Sequence, residues 1–152
     1  MKQVIVFTDL DGTLIDHDTY EFKEAEPSLD MLKQRAVPVI ICSSKTRAEI
    51  ELYRLRMGLG DPFIAENGSA VFIPRCALDM GDMNFVEKGI YNVVELGMPY
   101  AELCAVLKEI KKKENFRMKG FGEMSVEQIA DATGLPLEEA RLAADREHSE
   151  PF

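Results

Sequence analysis

Two aspartates, Asp9 and Asp11, are separated by one residue and directly follow an apolar segment at residues 4–8. Side chains at i and i+2 point to the same side of an extended chain, so the two carboxylates would lie close together. Such crowding raises the cost of ionising both groups unless a cation compensates, and Mg²⁺ prefers hard oxygen ligands. With Mg²⁺ bound, Asp9 could attack phosphorus while Asp11 protonates the leaving alcohol and then activates water. Gly12 allows a tight turn after them, and Thr13 can fix that turn by hydrogen bonding.

Polar residues also follow two later apolar segments. Ser43 and Ser44 come after residues 37–42, and Glu66-Asn67 come after residues 63–65. The carboxyl ends of parallel strands meet at one edge of a sheet, so we expect these groups to lie beside the aspartates. Ser43 would then face a phosphoryl group near a helix N-terminus, where free N–H groups favour anions. Helix capping by Ser43 or Ser44 is an alternative, and one serine can do both.

Two cations, Lys45 and Arg47, come next in the chain. Each could contact an anionic substrate bound beside Ser43. A solvated helix face explains the two side chains equally well, so both interpretations stay open.

Hydrophobic patterning predicts a β-α-β-α-β framework for these segments, with residues 4–8 and 37–42 as strands buried on both faces because they are continuous apolar runs. This order favours a parallel sheet with right-handed crossovers. A turn at Asn67-Gly68 predicts a hairpin between the third strand and the next apolar run. The expected elements are a helix opened by Pro27-Ser28 with Leu29, Leu32 and Ala36 on one face, a helix with Ile50, Tyr53 and Met57 that stops at Gly58 or Gly60, and strands at 63–65 and 70–73.

The residue pattern of the sequence changes around residues 75–90, and we interpret residues 74–82 as a domain boundary. We expect residues 1–82 to form the N-terminal half of an α/β core and residues 83–152 to form a small α+β domain. The elements expected in the second part are strands at 91–96 and 116–121 and helices at 99–113, 125–132 and 137–145.

Composition and charge exclude several functional classes. The chain has 152 residues and a net charge of −9, so it repels phosphate backbones at long range and we expect no nucleic-acid partner. No apolar run approaches a membrane span, and aspartates interrupt the N-terminal apolar stretch too early for a signal peptide. The three cysteines are far apart and form no CxxC pair, which is typical of reduced thiols. We therefore expect a cytoplasmic protein without a membrane partner.

The string DLDGTL at residues 9–14, placed directly after a strand, resembles the first motif of the haloacid dehalogenase (HAD) superfamily of phosphohydrolases. That superfamily places a Ser or Thr at the end of its second strand to hold the transferring phosphoryl group, and Ser43 occupies the matching position. The resemblance implies a partial HAD-like three-layer α/β core built on a parallel sheet, with a partial α+β cap.

The segments SSKTR at 43–47, ENG at 66–68 and REHSEPF at 146–152 are similar to the mannosyl-3-phosphoglycerate phosphatase family within that superfamily. This resemblance implies hydrolysis of a small phosphorylated sugar–glycerate substrate to mannosylglycerate, a compatible solute, with Mg²⁺ as cofactor. By carry-over, Asp9 is the nucleophile and a metal ligand, and Asp11 is the acid/base and binds the metal through its carbonyl. The further residues that the resemblance places at the phosphate or substrate are Ser43, Ser44, Lys45, Asn67 and Arg146.

One departure from the family pattern bears on activity. A HAD enzyme also needs a lysine in a later core motif and an acidic motif of the GDxxND kind, and neither motif is visible beyond Cys76. We therefore expect a C-terminally truncated chain with little phosphatase activity of its own. The strand at residues 4–8 would be left as an apolar sheet edge, so self-association through that edge is expected.

Alternatives to this hypothesis come from several classes. DxDG by itself also fits an acidic turn or a fragment of a calcium loop. The chain could be a catalytically inactive remnant that serves as a binding or oligomerising module. Another HAD sugar phosphatase or a phosphomannomutase would share DLDGTL. Residues 125–144 have the residue pattern of a DNA-binding helix-turn-helix, but their excess of acidic residues disfavours binding to DNA.

Overall fold

The computed structural model of the chain describes residues 4–16 and 19–152, so His17 and Asp18 and the first three residues of the predicted core domain lie outside the described residues. The strands are β1 (Val6–Thr8), β2 (Val39–Cys42), β3 (Phe63–Ala65), β4 (Ala70–Pro74), β5 (Val86–Lys88) and β6 (Tyr91–Glu95). The helices are α1 (Glu26–Gln34), α2 (Arg47–Met57), α3 (Tyr100–Glu114), α4 (Val126–Thr133) and α5 (Leu137–Ala143). Two short 3₁₀ turns occupy Glu66–Gly68 and Phe121–Glu123.

All six strands form one mixed sheet in the order β1-β2-β3-β4-β6-β5. The pairs β1–β2 and β2–β3 are parallel, and their registers include Phe7 opposite Ile40 and Ile41 opposite Phe63. From β3 onward the pairs are antiparallel, because β3 and β4 form the hairpin that the Asn67-Gly68 turn predicted. The predicted α/β fold with three parallel core strands is therefore confirmed.

Strand β1 is shorter and more exposed than predicted. It starts at Val6 and lies at the edge of the sheet, with β2 as its neighbour. The side chains of Val4, Ile5 and Phe7 are 57%, 54% and 63% exposed. The prediction that residues 4–8 are buried on both faces is wrong: β1 lies at the edge of the sheet, and the packing around it leaves Val4, Ile5 and Phe7 exposed. The expected apolar edge is present.

The core lies between the sheet and its helices and centres on an aromatic cluster. Phe63 stacks on Phe72 with ring centroids 4.8 Å apart, and Tyr91 meets both rings edge-on. The guanidinium of Arg54 lies over the Phe63 ring and donates a hydrogen bond of 3.1 Å to the Tyr91 hydroxyl. This cluster joins β3, β4 and β6, so the antiparallel strands are packed into the same core as the parallel ones.

Helix boundaries depart from prediction in two places. Ala36 has a φ of +51° and lies beyond the end of α1, so it does not extend the helical face of Leu29. The predicted strand at 116–121 is wrong, since residues 116–120 are irregular and a 3₁₀ turn follows. The amide of Phe121 donates to the carbonyl of Pro151, so this segment pairs with the end of the chain and not with a strand.

The predicted domain boundary falls between β4 and β5, and the strands on both sides of it belong to the same sheet. The division into a 1–82 core and an 83–152 cap stays a prediction. Within residues 4–16 and 19–152, no helix is long and apolar enough to cross a membrane.

Candidate functional site

A cavity of about 320 Å³ opens at the carboxyl ends of the three parallel strands. Its lining comes from three segments, located at the carboxyl ends of β1, β2 and β3. The lining residues are Asp9, Asp11, Cys42, Ser43, Ser44 and Asn67. The structure therefore brings five of the seven sequence-predicted site residues together, and it places Lys45 and Arg146 outside this lining.

A tight turn directs the two aspartates towards the cavity. The backbone N–H of Leu10 donates to Oδ1 of Asp9 at 2.7 Å, which orients that carboxylate. The carbonyl of Leu10 accepts from three amides that follow it, and Gly12 adopts a φ of +67° within this turn. Glycine reaches that conformation without a steric penalty. Leu10 and Ile15 are fully buried, so the turn is anchored in the core at both ends.

Ser43 extends the β2–β3 ladder by one bond, because its amide donates to the carbonyl of Ile64 at 3.1 Å. Its hydroxyl oxygen accepts from the amide of Lys45 at 3.2 Å. The N-cap of α2 is Thr46, which forms a capping box with Glu49. The prediction that Ser43 or Ser44 caps this helix is therefore wrong, and Ser43 and Ser44 line the cavity instead.

Lys45 is buried outside the cavity lining, where it pairs with a lining residue, and is not on a solvated helix face. Its Nζ lies 3.2 Å from Oδ1 of Asp11 and 3.5 Å from Oε1 of Glu49. Burial alone would lower the pKa of Lys45, but the carboxylates of Glu49 and Asp11 outweigh it and hold the pKa above its usual value. The ammonium therefore remains charged and pairs with one of the two aspartates of the cavity.

Cys42 also lines the cavity, and nothing in the sequence pattern distinguished it. Burial raises the pKa of the Cys42 thiol, and the charge of Asp9 raises it further. The thiol is therefore protonated near neutral pH and is a poor nucleophile.

The turn after β3 places Asn67 in the cavity. Glu66 and Asn67 both have positive φ values, +49° and +59°. The amide of Glu66 donates to the carbonyl of Lys45 and the amide of Asn67 donates to the carbonyl of Ser43, each at 3.0 Å. Two backbone bonds therefore fix the turn against the segment that carries the serines.

Glu66 is a residue whose role the sequence reasoning missed. Its side chain is buried, and the carboxylate accepts bonds from the backbone of Glu147 and His148 and from the hydroxyl of Ser149. An acidic residue between two apolar strands was the available signal, since a buried carboxylate requires donors. Those donors come from residues 81 to 83 positions away.

Arg146 does not line the cavity but contacts the segment that carries Ser44. Its Nη1 donates to the carbonyl of Ser44 at 2.9 Å and to the hydroxyl of Ser149 at 3.1 Å, and its Nε donates to the carbonyl of Ala143. The guanidinium also lies over the ring of Phe121. Arg146 thus holds the segment that carries Ser44, and its role as an anion contact stays a prediction.

A second polar cluster lies outside the cavity. Glu95, Glu147 and His148 are close enough to hold a metal ion. The ammonium of Lys88 lies 2.7 Å from Glu95 and 2.6 Å from Glu147, and Arg47 lies 3.2 Å from Glu147. Because Lys88 already occupies the position between the two carboxylates, this cluster is an ion-pair network. Its contact with Arg47 also overturns the interpretation of Arg47 as a merely solvated cation.

Comparison with proteins of known sequence points to hydrolases, and among them to phosphatases. A family model for haloacid dehalogenase-like hydrolases matches residues 6–116. Similar relatives are two glucosyl-3-phosphoglycerate/mannosyl-3-phosphoglycerate phosphatases, from Methanococcoides burtonii (47% identical over 97% of this chain) and Persephonella marina (42% over 98%). A mannosyl-3-phosphoglycerate phosphatase from Pyrococcus horikoshii is 42% identical over 96% of the chain. The chain spans 54% to 58% of the length of these relatives.

Solved structures share the fold at low sequence identity. A phosphatase of the haloalkanoate enzyme superfamily from Bacteroides thetaiotaomicron has a TM-score of 0.56 at 18% identity and covers 88% of this chain and 47% of that one. A sugar phosphatase of HAD subclass IIB has a TM-score of 0.51 at 18% identity, covering 73% of this chain and 38% of the other. The family model, the relatives and the site at the strand ends agree, and the chain belongs to the family of haloacid dehalogenase-like hydrolases.

Proposed function

We propose that this chain carries the nucleophile-bearing half of a Mg²⁺-dependent phosphatase acting on mannosyl-3-phosphoglycerate or its glucosyl counterpart. The observation that carries the proposal is the cavity where Asp9 and Asp11 meet Ser43 and Asn67 at the strand ends. The substrate class follows from the names of the relatives at 42% to 47% identity. A cytoplasmic location is part of the proposal and agrees with three free cysteines.

The donor set of the cavity fits a hard divalent cation. Asp9 would supply carboxylate oxygens, Asp11 its backbone carbonyl oxygen and Asn67 an amide oxygen, the hard oxygen ligands that Mg²⁺ prefers. Asp9 and Asp11 would hold the ion, consistent with the HAD resemblance. When bound, Mg²⁺ offsets the charge of the phosphoryl oxygens.

We assign the roles of the residues from the HAD resemblance, and the contacts in the structure support them. Asp9, oriented by the amide of Leu10, attacks phosphorus and becomes an aspartyl-phosphate as the bond to the leaving oxygen breaks. Asp11 in its protonated form gives its proton to the leaving alcohol, and the resulting carboxylate, paired with Lys45, takes a proton from the water that hydrolyses the intermediate. Ser43 and the following backbone hold the phosphoryl oxygens. Lys45 pairs with Asp11 and thereby fixes the position of that carboxylate.

We expect turnover by this chain alone to be slow. In the part of the chain that the structure describes, the cavity lining contains two carboxylates and no cation, whereas phosphoryl transfer needs positive charge on the transferring group. Lys45 does not supply it directly, because its ammonium is already paired with Asp11 and Glu49.

The test is phosphate release from mannosyl-3-phosphoglycerate with Mg²⁺, comparing the wild type with Asp9→Asn and with Asp82→Asn as an exposed control. We expect slow release that Asp9→Asn abolishes and Asp82→Asn preserves. Release that does not depend on Asp9 would overturn the phosphatase proposal. A turnover rate of about 10 s⁻¹, which is typical of enzymes, would instead overturn the expectation of slow turnover.

A further inference from the structure

The carboxylate of Glu66 connects the end of the chain to the candidate site. Its Oε1 accepts from the amide of Glu147 at 2.9 Å, and its Oε2 accepts from the amide of His148 at 3.0 Å and from the hydroxyl of Ser149 at 2.5 Å. Glu66 is 2% exposed. We call this set of three bonds the Glu66 clasp.

The Glu66 side chain is not part of the cavity lining, but the backbone of Glu66 leads directly into it. Asn67, the following residue, lines the cavity, and its amide is bonded to the carbonyl of Ser43. Both Glu66 and Asn67 occupy the left-handed region, which residues with a side chain rarely adopt. A conformation of this kind persists where the surroundings over-determine it, and the clasp supplies such surroundings.

The clasped segment also reaches the second part of the site. Arg146, the residue before the clasp, donates to the carbonyl of Ser44. The carbonyl of Glu147 accepts from the amide of Tyr100 at the start of α3, which fixes the segment on its other side. Residues 146–149 therefore form a strap that is bonded to the turn after β2 and to the turn after β3.

We propose that Glu66 is a positioning residue for the phosphoryl pocket, holding Asn67 and Ser43 in place by clasping the 146–149 strap. This inference rests on the proposed phosphatase function. A carboxylate suits the role because it accepts from three donors at once, and bonds to a charged acceptor are stronger than neutral ones. A glutamine at this position would place its side-chain NH₂ group, which is a donor, opposite donors of the strap.

The experiment compares the wild-type chain with Glu66→Gln and with a matched control, Glu87→Gln. Glu87 lies on β5 with its side chain 61% exposed and paired with Arg75, so the same change there leaves the cavity untouched. The probe is Mg²⁺ with beryllium fluoride, a phosphoryl mimic, whose binding is followed by ¹⁹F NMR. Amide hydrogen exchange at residues 147 and 148 reports the clasp, and circular dichroism reports the fold.

We expect Glu66→Gln to stay folded, to lose protection at the two amides and to bind the probe about 10- to 100-fold more weakly, as small displacements of site residues do. Glu87→Gln should match the wild type in all three measurements. A folded Glu66→Gln chain that binds the probe like the wild type would overturn the inference.

A milder variant, Ser149→Ala, covers the case in which Glu66→Gln does not fold. It removes one donor of the clasp and leaves the carboxylate, so we expect weaker probe binding with the fold retained; unchanged affinity would overturn the positioning role. The two proposals fail differently. A wild-type chain that does not bind the probe overturns the proposed function and the positioning role with it, whereas wild-type binding that the clasp variants retain overturns the positioning role alone.

Discussion

The Nζ atom of Lys45 lies 3.2 Å from Oδ1 of Asp11, and this contact joins the segment after β2 to the segment after β1. Oε1 of Glu49 lies 3.5 Å from the same ammonium. The Lys45 side chain is 11% exposed and that of Glu49 is 6% exposed. The lysine therefore offsets negative charge at the end of the sheet where Asp9 and Asp11 come together.

The first prediction concerns the charge of Lys45, which a methionine removes while it keeps most of the length of the side chain. Lys45→Met should lower the free energy of unfolding by about 2 kcal/mol, because it leaves the buried Glu49 carboxylate without its cation. Urea unfolding at neutral pH measures the change. The matched control is Lys113→Met on α3, where the side chain is 83% exposed and its ion pair is worth little. Equal losses of unfolding free energy in the two variants would show that the burial of the Lys45 ion pair does not matter.

The second prediction concerns the cap of α2. The Thr46 hydroxyl accepts from the amide of Glu49 and donates to the carbonyl of Leu142 at 2.9 Å, so it joins α2 to α5. Thr46→Ala should cost about 2 kcal/mol of unfolding free energy, the sum of a cap and a tertiary bond.

Ser125 caps α4 with the same capping-box geometry and serves as the comparison. Ser125→Ala should cost about 1 kcal/mol, since only the cap is lost. Thermal or urea unfolding of both variants gives the difference. A Thr46→Ala loss no larger than that of Ser125→Ala would mean that the bond to Leu142 contributes nothing.

The framework of the site could be predicted from the sequence because strands and turns are local signals. The apolar run at 37–42 and the Asn67-Gly68 turn predicted β2 and the β3–β4 hairpin, and these elements bring Ser43 and Asn67 beside the aspartates. The start of α2 was predicted at the wrong residue, since the N-cap is the residue whose hydroxyl accepts from the backbone amide three residues later. Ser43, Ser44 and Thr46 all carry one, and the backbone at Thr46 proved to fit.

Long-range partners could not be predicted from local patterns. The donors to Glu66 lie 81 to 83 positions away, so the sequence around Glu66 did not reveal them. The ion pair between buried Lys45 and Asp11 is also distant in sequence, because Asp11 follows β1 and Lys45 follows β2. The predicted strand at 116–121 failed for a related reason, because strand propensity needs a neighbour and Phe121 pairs with Pro151 instead.

The third prediction separates the backbone of Asn67 from its side chain. Asn67 has a φ of +59°, a conformation that glycine adopts freely and alanine does not. Asn67→Ala should therefore be about 1 kcal/mol less stable than Asn67→Gly. Both variants should bind Mg²⁺–beryllium fluoride more weakly than the wild type, because both lose the side-chain amide of Asn67 at the cavity. Equal stability of the two variants would contradict a strained turn.

The fourth prediction is a pH dependence. The Lys88 ammonium lowers the pKa of Glu95 below its usual value of 4.5. A carboxylate with a lowered folded-state pKa contributes stability above its unfolded value, and that contribution is lost as the pH falls through the folded value. The melting temperature of the wild type should exceed that of Glu95→Gln near pH 6, and the gap should close as the pH falls below about 4. A gap that stays constant down to about pH 3 would contradict the ion pair.

The fifth prediction concerns the exposed edge of the sheet. Strand β1 has a neighbour on one side, and Phe7 is 63% exposed beside Val4 and Ile5. An apolar edge strand pairs readily with a second copy, and a charged residue there opposes it. We expect the wild type to associate as its concentration rises, and Phe7→Lys to weaken this association, as measured by sedimentation velocity. Leu55→Lys is the matched control, because Leu55 is 80% exposed on α2 and adds the same charge away from the edge. A wild type that remains monomeric throughout, or equal effects of the two lysines, would show that the β1 edge does not drive association.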